Sequence, residues 1–407
     1  ALRAARALGR AGLSTRVRLA SGVARLDGPD SVVVLDYDKV ADPGADLTES
    51  VREAFGKDGF GIVAIRGVPD YVQARAALLP LAYRFANMPE EVKARYEDPS
   101  THYSFGWSHG KEKLEGKPDY GKGSYYNNPL YNTPMEGNDE LIKRYPSFYS
   151  ANVWPTQDLP EMESAFMTLG GMICDVGFKL AAHCDKYVQS ELDALATSGA
   201  DKVKWVRLAP SISSSRCCKA RLLHYFPDMA ADIPAGASEA ELTDEQKLSS
   251  WCGWHNDHGS LTGLAGGGCY WDADGKEVPP PSSQAGLYVK TRHGKIIRVV
   301  VPKDFMAFQI GETAQVHSGG ILQATPHCVS TGGAAAGAKG VSRSTFAVFM
   351  EPDWDVSMDL PAGVRQEGLL HPKDSQSLVP GVPPLATRWA PGQNFADFND
   401  ATLAAYY

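Results

Sequence analysis

WHNDHGSLTGL, residues 254–264, places an imidazole and a carboxylate, His255 and Asp257, two positions apart just before a short apolar run. On an extended strand residues i and i+2 project from one face, so both side chains can reach one point. Around this stretch lie further short apolar segments: LLHYF at 222–226, LTGL at 261–264, GLYVK at 286–290, IIRVVV at 296–301, FMAFQI at 305–310 and STFAVFM at 344–350. Turn-rich sequence separates them, and the pattern predicts a β-sandwich or barrel for the second half of the chain. Residues 266–284 and the Ala/Gly-rich 331–340 read as insertions in it.

The front half has a different texture. SVVVLDY at 31–37 and FGIVAI at 60–65 read as strands. Between them Asp46 is a candidate N-cap for a helix carrying Leu47, Val51, Ala54 and Phe55. A longer helix is predicted from Asp70 to about Asn87, with Pro89 ending it. Residues 100–160, rich in Tyr, Gly, Pro and Asn, show no period and read as ordered loop, because aromatics are too frequent for a solvated linker. Glu161–Ala182 returns to helix, and its stripe of Met162, Phe166, Leu169, Ile173, Val176 and Leu180 reads as core.

Composition narrows the function. Forty Lys+Arg against 48 Asp+Glu leave a net charge of −8 over 407 residues, which argues against nucleic acid or an anionic membrane as the partner. No stretch reads as a membrane span. Seven cysteines without a C-x-x-C spacing predict neither a disulfide framework nor a structural zinc site. Residues 1–26 hold six arginines and no acidic residue. That is the composition of an organellar transit peptide, or of a disordered basic tail, and the segment is set apart from the fold. Arginine content places mitochondrion ahead of plastid; without a transit peptide the expectation is the cytoplasm. The remaining divisions are a helical and strand region at 30–200, a β core at 201–355 and a C-terminal extension at 356–407.

Two more segments carry chemistry. ATPHCV at 324–329 supplies His327. Two histidines and one carboxylate on one side of an ion leave open positions, the set associated with non-haem Fe(II) oxygenases. Each alone is ordinary: H-x-D occurs by chance, and a single histidine is usually a hydrogen-bonded structural one. His258 faces away from Asp257 on a strand, while His224 and His317 are the competing histidines. In VSRSTF at 341–346, Arg343 and Thr345 share a strand face. A guanidinium fork and a hydroxyl suit a carboxylate, and beside Fe(II) the natural one is the distal carboxylate of 2-oxoglutarate. A surface salt bridge is the plainer reading of Arg343, but the apolar run Phe346–Met350 favours an inward strand. A zinc hydrolase fits the same three ligands and leaves Arg343 and Thr345 without a task. Trp254 and the aromatics of 120–126 read as pocket lining or, preferably, as core.

With these residues in this order, the chain resembles the isopenicillin N synthase-like branch of the Fe(II)/2-oxoglutarate-dependent dioxygenases. SVVVLDYDKV…VREAFGKDGFGIVAIRGVP, WHNDHGSLTGL, the His327 segment, the Arg343 strand and the closing TRWAPGQNFADFNDATLAAYY follow in that family's sequence, over about residues 30–407. The resemblance implies a mainly β fold with a helical N-terminal part, its double-stranded β-helix (jelly-roll) core flanked by helices and open at the active site. It implies His255, Asp257 and His327 as iron ligands and Arg343 with Thr345 as the 2-oxoglutarate anchor, Thr345 standing where the family usually has Ser. In LLHYFP, either Tyr225 or Phe226 takes the family's further cosubstrate contact. The implied activity consumes O2 and 2-oxoglutarate, releases succinate and CO2 and oxidises a small organic substrate, hydroxylation being the default; ascorbate is an optional reductant. An oxidase of the same fold that dispenses with 2-oxoglutarate, and a metal-silent jelly roll used for binding or scaffolding, are the alternatives. Nothing in the sequence names the substrate.

Overall fold

The computed structural model describes residues 17–20, 23–26, 31–111, 113–114, 117–195, 203–227, 251–331, 340–364, 379 and 381–406. The strands in chain order are β1 (Val17–Ala20), β2 (Val23–Leu26), β3 (Val33–Asp36), β4 (Ile62–Arg66), β5 (Gly106–His109), β6 (Lys113–Leu114), β7 (Lys117–Pro118), β8 (Lys122–Asn127) and β9 (Lys219–Tyr225). They continue as β10 (Cys252–His255), β11 (Leu261–Ala265), β12 (Cys269–Trp271), β13 (Glu277–Val278), β14 (Gly286–Lys290), β15 (Ile296–Val299), β16 (Phe305–Ile310), β17 (His327–Ser330) and β18 (Ser342–Met350). The helices are α1 (Tyr37–Ala41), α2 (Thr48–Phe55), α3 (Tyr71–Ala86), α4 (Glu90–Lys93), α5 (Asp139–Arg144), α6 (Pro146–Tyr149), α7 (Glu161–Leu195), α8 (Leu208–Ser213), α9 (Glu312–His317) and α10 (Phe395–Tyr406).

The strands build two principal sheets and a two-stranded ribbon, β6-β7. The larger runs β1-β2-β3-β4-β16-β11-β18-β9-β8-β5, with β12 added to β18 and β13 to β12; the smaller runs β10-β17-β14-β15. From β9 to β18 the chain weaves between them: β10, β14, β15 and β17 lie in the small sheet, β9, β11, β16 and β18 in the large one. Period two gives the central strands of the large sheet an outer face for the helices and an inner face for the small sheet. On β18, Phe346, Val348 and Met350 belong to the core shared with α7 and α3, while Ala347 packs with Leu223, Tyr225 and Val329 between the sheets. Further along, Leu26, Val34, Ile62 and Phe305 meet Val289 and Ile297 of the small sheet. Each such buried side chain stabilises by about 1.5–3 kcal/mol relative to leaving it in water.

α7 carries the predicted core stripe and runs on to Leu195, well past Ala182. Its length and composition would suffice to cross a membrane, contrary to the sequence reading; here Phe166, Ile173 and Leu180 are buried in the core it shares with the large sheet. Close approach needs Gly263 on β11: a Cβ there would lie 2.2 Å from Ile173 Cγ2. The rings of Phe166 and Phe346 meet edge-on at 5.0 Å.

Several expectations need correction. Residues 100–160 are not a loop throughout, since β5 and β8 extend the large sheet beyond β9. The front region and the β core therefore share one sheet. The supposed insertion 266–284 contains β12 and β13, and β12 pairs with β18 at Tyr270–Arg343; of 331–340, residues 332–339 lie outside those described. Setting aside residues 1–26 cut too deep: β2 pairs with β3, Val23 and Leu26 are buried, and Arg25 forms an ion pair with Glu53. Residues 1–16 of that segment lie outside those described. α2 starts at Thr48, after Leu47, and Asp46 assists by accepting the Thr48 N–H at 3.0 Å.

Candidate active site

The three predicted metal ligands come together. One donor atom from each of His255, Asp257 and His327 lies within 4.8 Å of the others, and they are the one such His/Cys/Asp/Glu group among the described residues. The two histidines sit directly opposite each other on β10 and β17, rings 4.2 Å apart. A bulge between Cys252 and His255 sets this register. Asp257 does not share that strand. β10 ends at His255, and the carboxylate returns to the imidazoles from the turn beyond it. Strand alternation was thus the wrong reason for a correct meeting; the turn is held by the Glu312 N–H, which donates to the Asp257 carbonyl at 2.8 Å.

Each imidazole is oriented by its own backbone. His255 Nδ1 lies 2.8 Å from the Gly253 carbonyl and His327 Nδ1 3.2 Å from that of Thr325. A carbonyl can only accept, so Nδ1 carries the proton and, in a neutral ring, the Nε2 lone pair faces the cluster. Both Nε2 atoms stand 3.7 Å from Asp257 Oδ1. That is too long for a hydrogen bond and a few tenths of an ångström beyond the roughly 3.4 Å between two donors held tetrahedrally at about 2.1 Å by one ion. Electrostatics favours the ligating form of two of the three groups. Burial raises the Asp257 carboxyl, but His327 and His255 outweigh it and hold it below the usual range. Burial and His255 push His327 down to about 4. Burial also lowers His255, yet Cys252 and Asp257 outweigh it, to about 9. One ring of the pair is therefore neutral and ready as a ligand.

Arg343 and Thr345 are both buried on the inner face of β18. Arg343 pairs with Tyr225 of β9, and its guanidinium carbon lies 5.2 Å from the centre of that ring. Its Nε and Nη1 are buried without a hydrogen-bond partner among the described residues. Burying such donors is costly unless an acceptor arrives, so a cationic clamp awaits an anion. Gly268 makes room for it, because a Cβ there would come within 2.6 Å of Nε. Of the two candidates in LLHYFP, Tyr225 lies inside beside Arg343, whereas Phe226 packs against His109 at 4.8 Å.

The competing histidines lie elsewhere. His224 Nδ1 meets Ser344 Oγ at 3.2 Å on the outer face, and His317 Nε2 meets the Ser357 carbonyl at 2.9 Å. His258 turns towards Glu351, 3.9 Å away. Trp254 packs with Tyr288, Cys328, Val379 and Val382 and is core; Tyr120 is exposed. Sequence reasoning missed Cys252, whose sulfur lies 3.9 Å from His255 Nδ1. Its position three residues before His255 was the available signal.

Residues 32–157 match the family described as non-haem dioxygenase in morphine synthesis, N-terminal. No curated protein sequence matches the chain. Among solved structures, a protein described as a 2OG-Fe(II) oxygenase family member from Caulobacter crescentus aligns at 17% identity, covering 92% of this chain and 99% of its own, with a TM-score of 0.59. A full-length Neurospora crassa protein, solved in complex with alpha-KG, aligns at 18% identity over 93% of this chain and 98% of its own, TM-score 0.58. JOX2 in complex with 2OG, Fe and JA aligns at 16% identity over 91% and 85%, TM-score 0.51. At such identities the likeness establishes a common fold.

Proposed function

We propose that this chain, which has the fold of the Fe(II)/2-oxoglutarate oxygenases and whose residues 32–157 match the non-haem dioxygenase N-terminal family, is an Fe(II)- and 2-oxoglutarate-dependent dioxygenase acting on a small organic substrate. The weave of β9–β18 between two four-stranded halves supports reading the core as a double-stranded β-helix. One observation carries the functional reading: a two-histidine, one-carboxylate cluster shares the interior with a buried guanidinium whose Nε and Nη1 have no hydrogen-bond partner among the described residues.

In this reading His255, Asp257 and His327 hold the ion, and three donors leave it positions for other ligands. Bound Fe(II) supplies the oxygen chemistry by which 2-oxoglutarate and O2 become succinate and CO2 while the substrate is oxidised, hydroxylation being the expected outcome. Arg343 receives the distal carboxylate of 2-oxoglutarate through its paired N–H groups, Thr345 adds a hydroxyl donor, and Tyr225 walls the anion in. The apolar lining of Leu223, Trp251, Val329 and Ala347 excludes water and strengthens these contacts. Carbonyls at the two Nδ1 atoms keep the imidazoles aimed during turnover. Ascorbate serves, where needed, to keep the iron reduced.

The neighbours' ligands differ, and at these identities none passes to this chain. The test is therefore independent of substrate identity at its first step. Purified protein given Fe(II), 2-oxoglutarate and O2 should release succinate above a metal-free control and lose that release in Asp257→Ala; a metabolite screen for stimulation then finds the substrate. Turnover without 2-oxoglutarate would instead support the oxidase alternative. The four arginines and absent acids of residues 1–16 support delivery to an organelle, the mitochondrion ahead of the plastid. A fluorescent fusion of residues 1–30 tests it.

A further inference from the structure

The turn that leads from His255 to the Asp257 carboxylate is gripped from the C-terminal end of the chain. Asn256, between His255 and Asp257, donates its backbone N–H to Tyr406 Oη at 3.2 Å and its side-chain amide to Glu312 Oε1 at 3.0 Å. The same Glu312 oxygen accepts from Arg388 Nη2 at 2.7 Å, in a pair whose side chains are 2% and 1% exposed. Arg388 reaches on to α10, donating Nη1 to Thr402 Oγ1 at 2.9 Å, and donates Nη2 to the Pro383 carbonyl at 3.0 Å. Its guanidinium carbon lies 5.9 Å from the centre of the Tyr406 ring. Finally, the Glu312 backbone N–H holds the Asp257 carbonyl, and Thr313 Oγ1 donates to that of His258 at 2.6 Å.

A buried ion pair is a poor device for stability, since desolvation cancels most of its attraction and apolar replacements are often as good. What it supplies is direction. Every hydrogen bond of this chain of contacts ends on α10 and its approach or on residues 256–258, and together they fix where the Asp257 carboxylate returns towards the two imidazoles. We propose that Arg388, Glu312 and Tyr406 are positioning residues for the metal-ligand turn, so that the C-terminal helix sets the affinity of the site for its ion. The inference rests on the reading of His255, Asp257 and His327 as metal ligands.

The test uses the full chain, stripped with chelator and titrated with Co(II) alone, following the visible absorption of the bound ion, with melting of the metal-free protein measured in parallel. Tyr406→Phe removes one hydroxyl; Arg388→Met combined with Glu312→Leu removes the pair without stranding a charge. The double variant should bind Co(II) about 10- to 100-fold more weakly, the range typical of groups that orient ligands, with an altered absorption spectrum. Tyr406→Phe should show a smaller loss in the same direction at an unchanged melting temperature, and it decides the matter if the double variant fails to fold. Leu403→Ser, exposed on the same helix, should bind as the parent does. Parent-like Co(II) affinity and spectrum in Tyr406→Phe and the double variant overturn the inference alone. A parent that binds no Co(II) overturns the metal-site reading and takes this inference with it.

Discussion

Arg343 shows what a single residue can be asked to do here. Its Nε and Nη1 are buried and lack hydrogen-bond partners among the described residues, so the free protein already bears the cost of desolvating them, and a carboxylate that arrives recovers it. A hydrogen bond to a charged group is worth about 1.5–3 kcal/mol, or roughly 10- to 100-fold in affinity. Arg343→Ala should therefore raise the KM for 2-oxoglutarate by about that factor, with kcat at saturation changed less, because the distal carboxylate is held alike throughout the reaction. Arg343→Lys should fall between, retaining charge and losing the fork. Initial rates of succinate formation at varied 2-oxoglutarate check this; an unchanged KM in Arg343→Ala removes the clamp from the site. Arg343 and Thr345 were legible because β18 is a clean period-two strand, whose register names the face of every residue once one is known. Asn256 was not legible. Its partners, Glu312 and Tyr406, lie 56 and 150 residues away along the chain, and no local pattern encodes such contacts.

At the scale of elements, strands that alternate or run apolar were read almost to the residue: β14 and β16 have the bounds expected of GLYVK and FMAFQI. β10 and β17, which carry His255 and His327, were expected as strands but without bounds, because a four-residue strand with a polar site on one face has too little period to delimit. β5 and β8 were hidden for a different reason. Their Trp107 and Tyr125 are buried among aromatics that read as loop composition. Helix α7 was found but cut short; its buried stripe continues from Leu180 through Cys184 and Val188 to Leu192, with His183, Asp185 and Lys186 interspersed. Its seating on the sheet gives a sharp prediction. The missing side chain of Gly263 leaves room for Ile173, so Gly263→Ala should cost about 1–3 kcal/mol through overpacking. Ile173→Ala removes the obstructing methyl groups, so the double variant should be more stable than the sum of the single losses allows, by more than about 0.5 kcal/mol. Urea unfolding of the four proteins closes the cycle; simple additivity would mean that the two positions do not meet.

Across the whole molecule, buried titratable groups oppose one another. Burial holds His224 down to about 3 and His317 to about 4. A depressed histidine contributes stability that is present above its unfolded pKa, near 6.5, and is lost as pH falls towards the folded value. Burial acts the other way on carboxyls, raising Asp185 to about 6 and Glu351 to about 7. A raised carboxyl contributes stability below its unfolded pKa, near 4, and loses it as pH climbs to the folded value. Between about pH 4.5 and 6 the two kinds of group pull in opposite directions, each worth about 1.4 kcal/mol per pH unit, and below that window the histidines act alone. His317→Gln keeps an N–H for the Ser357 carbonyl and removes one titration. Relative to the parent, its stability should fall as pH rises from 4.5 to 6, by about 1.4 kcal/mol per unit. Asp185→Asn keeps an acceptor for the Leu208 N–H, which Asp185 Oδ1 meets at 2.7 Å, and should change the slope by a similar amount with the opposite sign. Urea unfolding at pH 4.5, 5.2 and 6.0, taken as the difference between variant and parent, isolates one proton at a time. Parallel curves for either variant and its parent would mean that the group titrates alike folded and unfolded, and that its burial does not resist the charge.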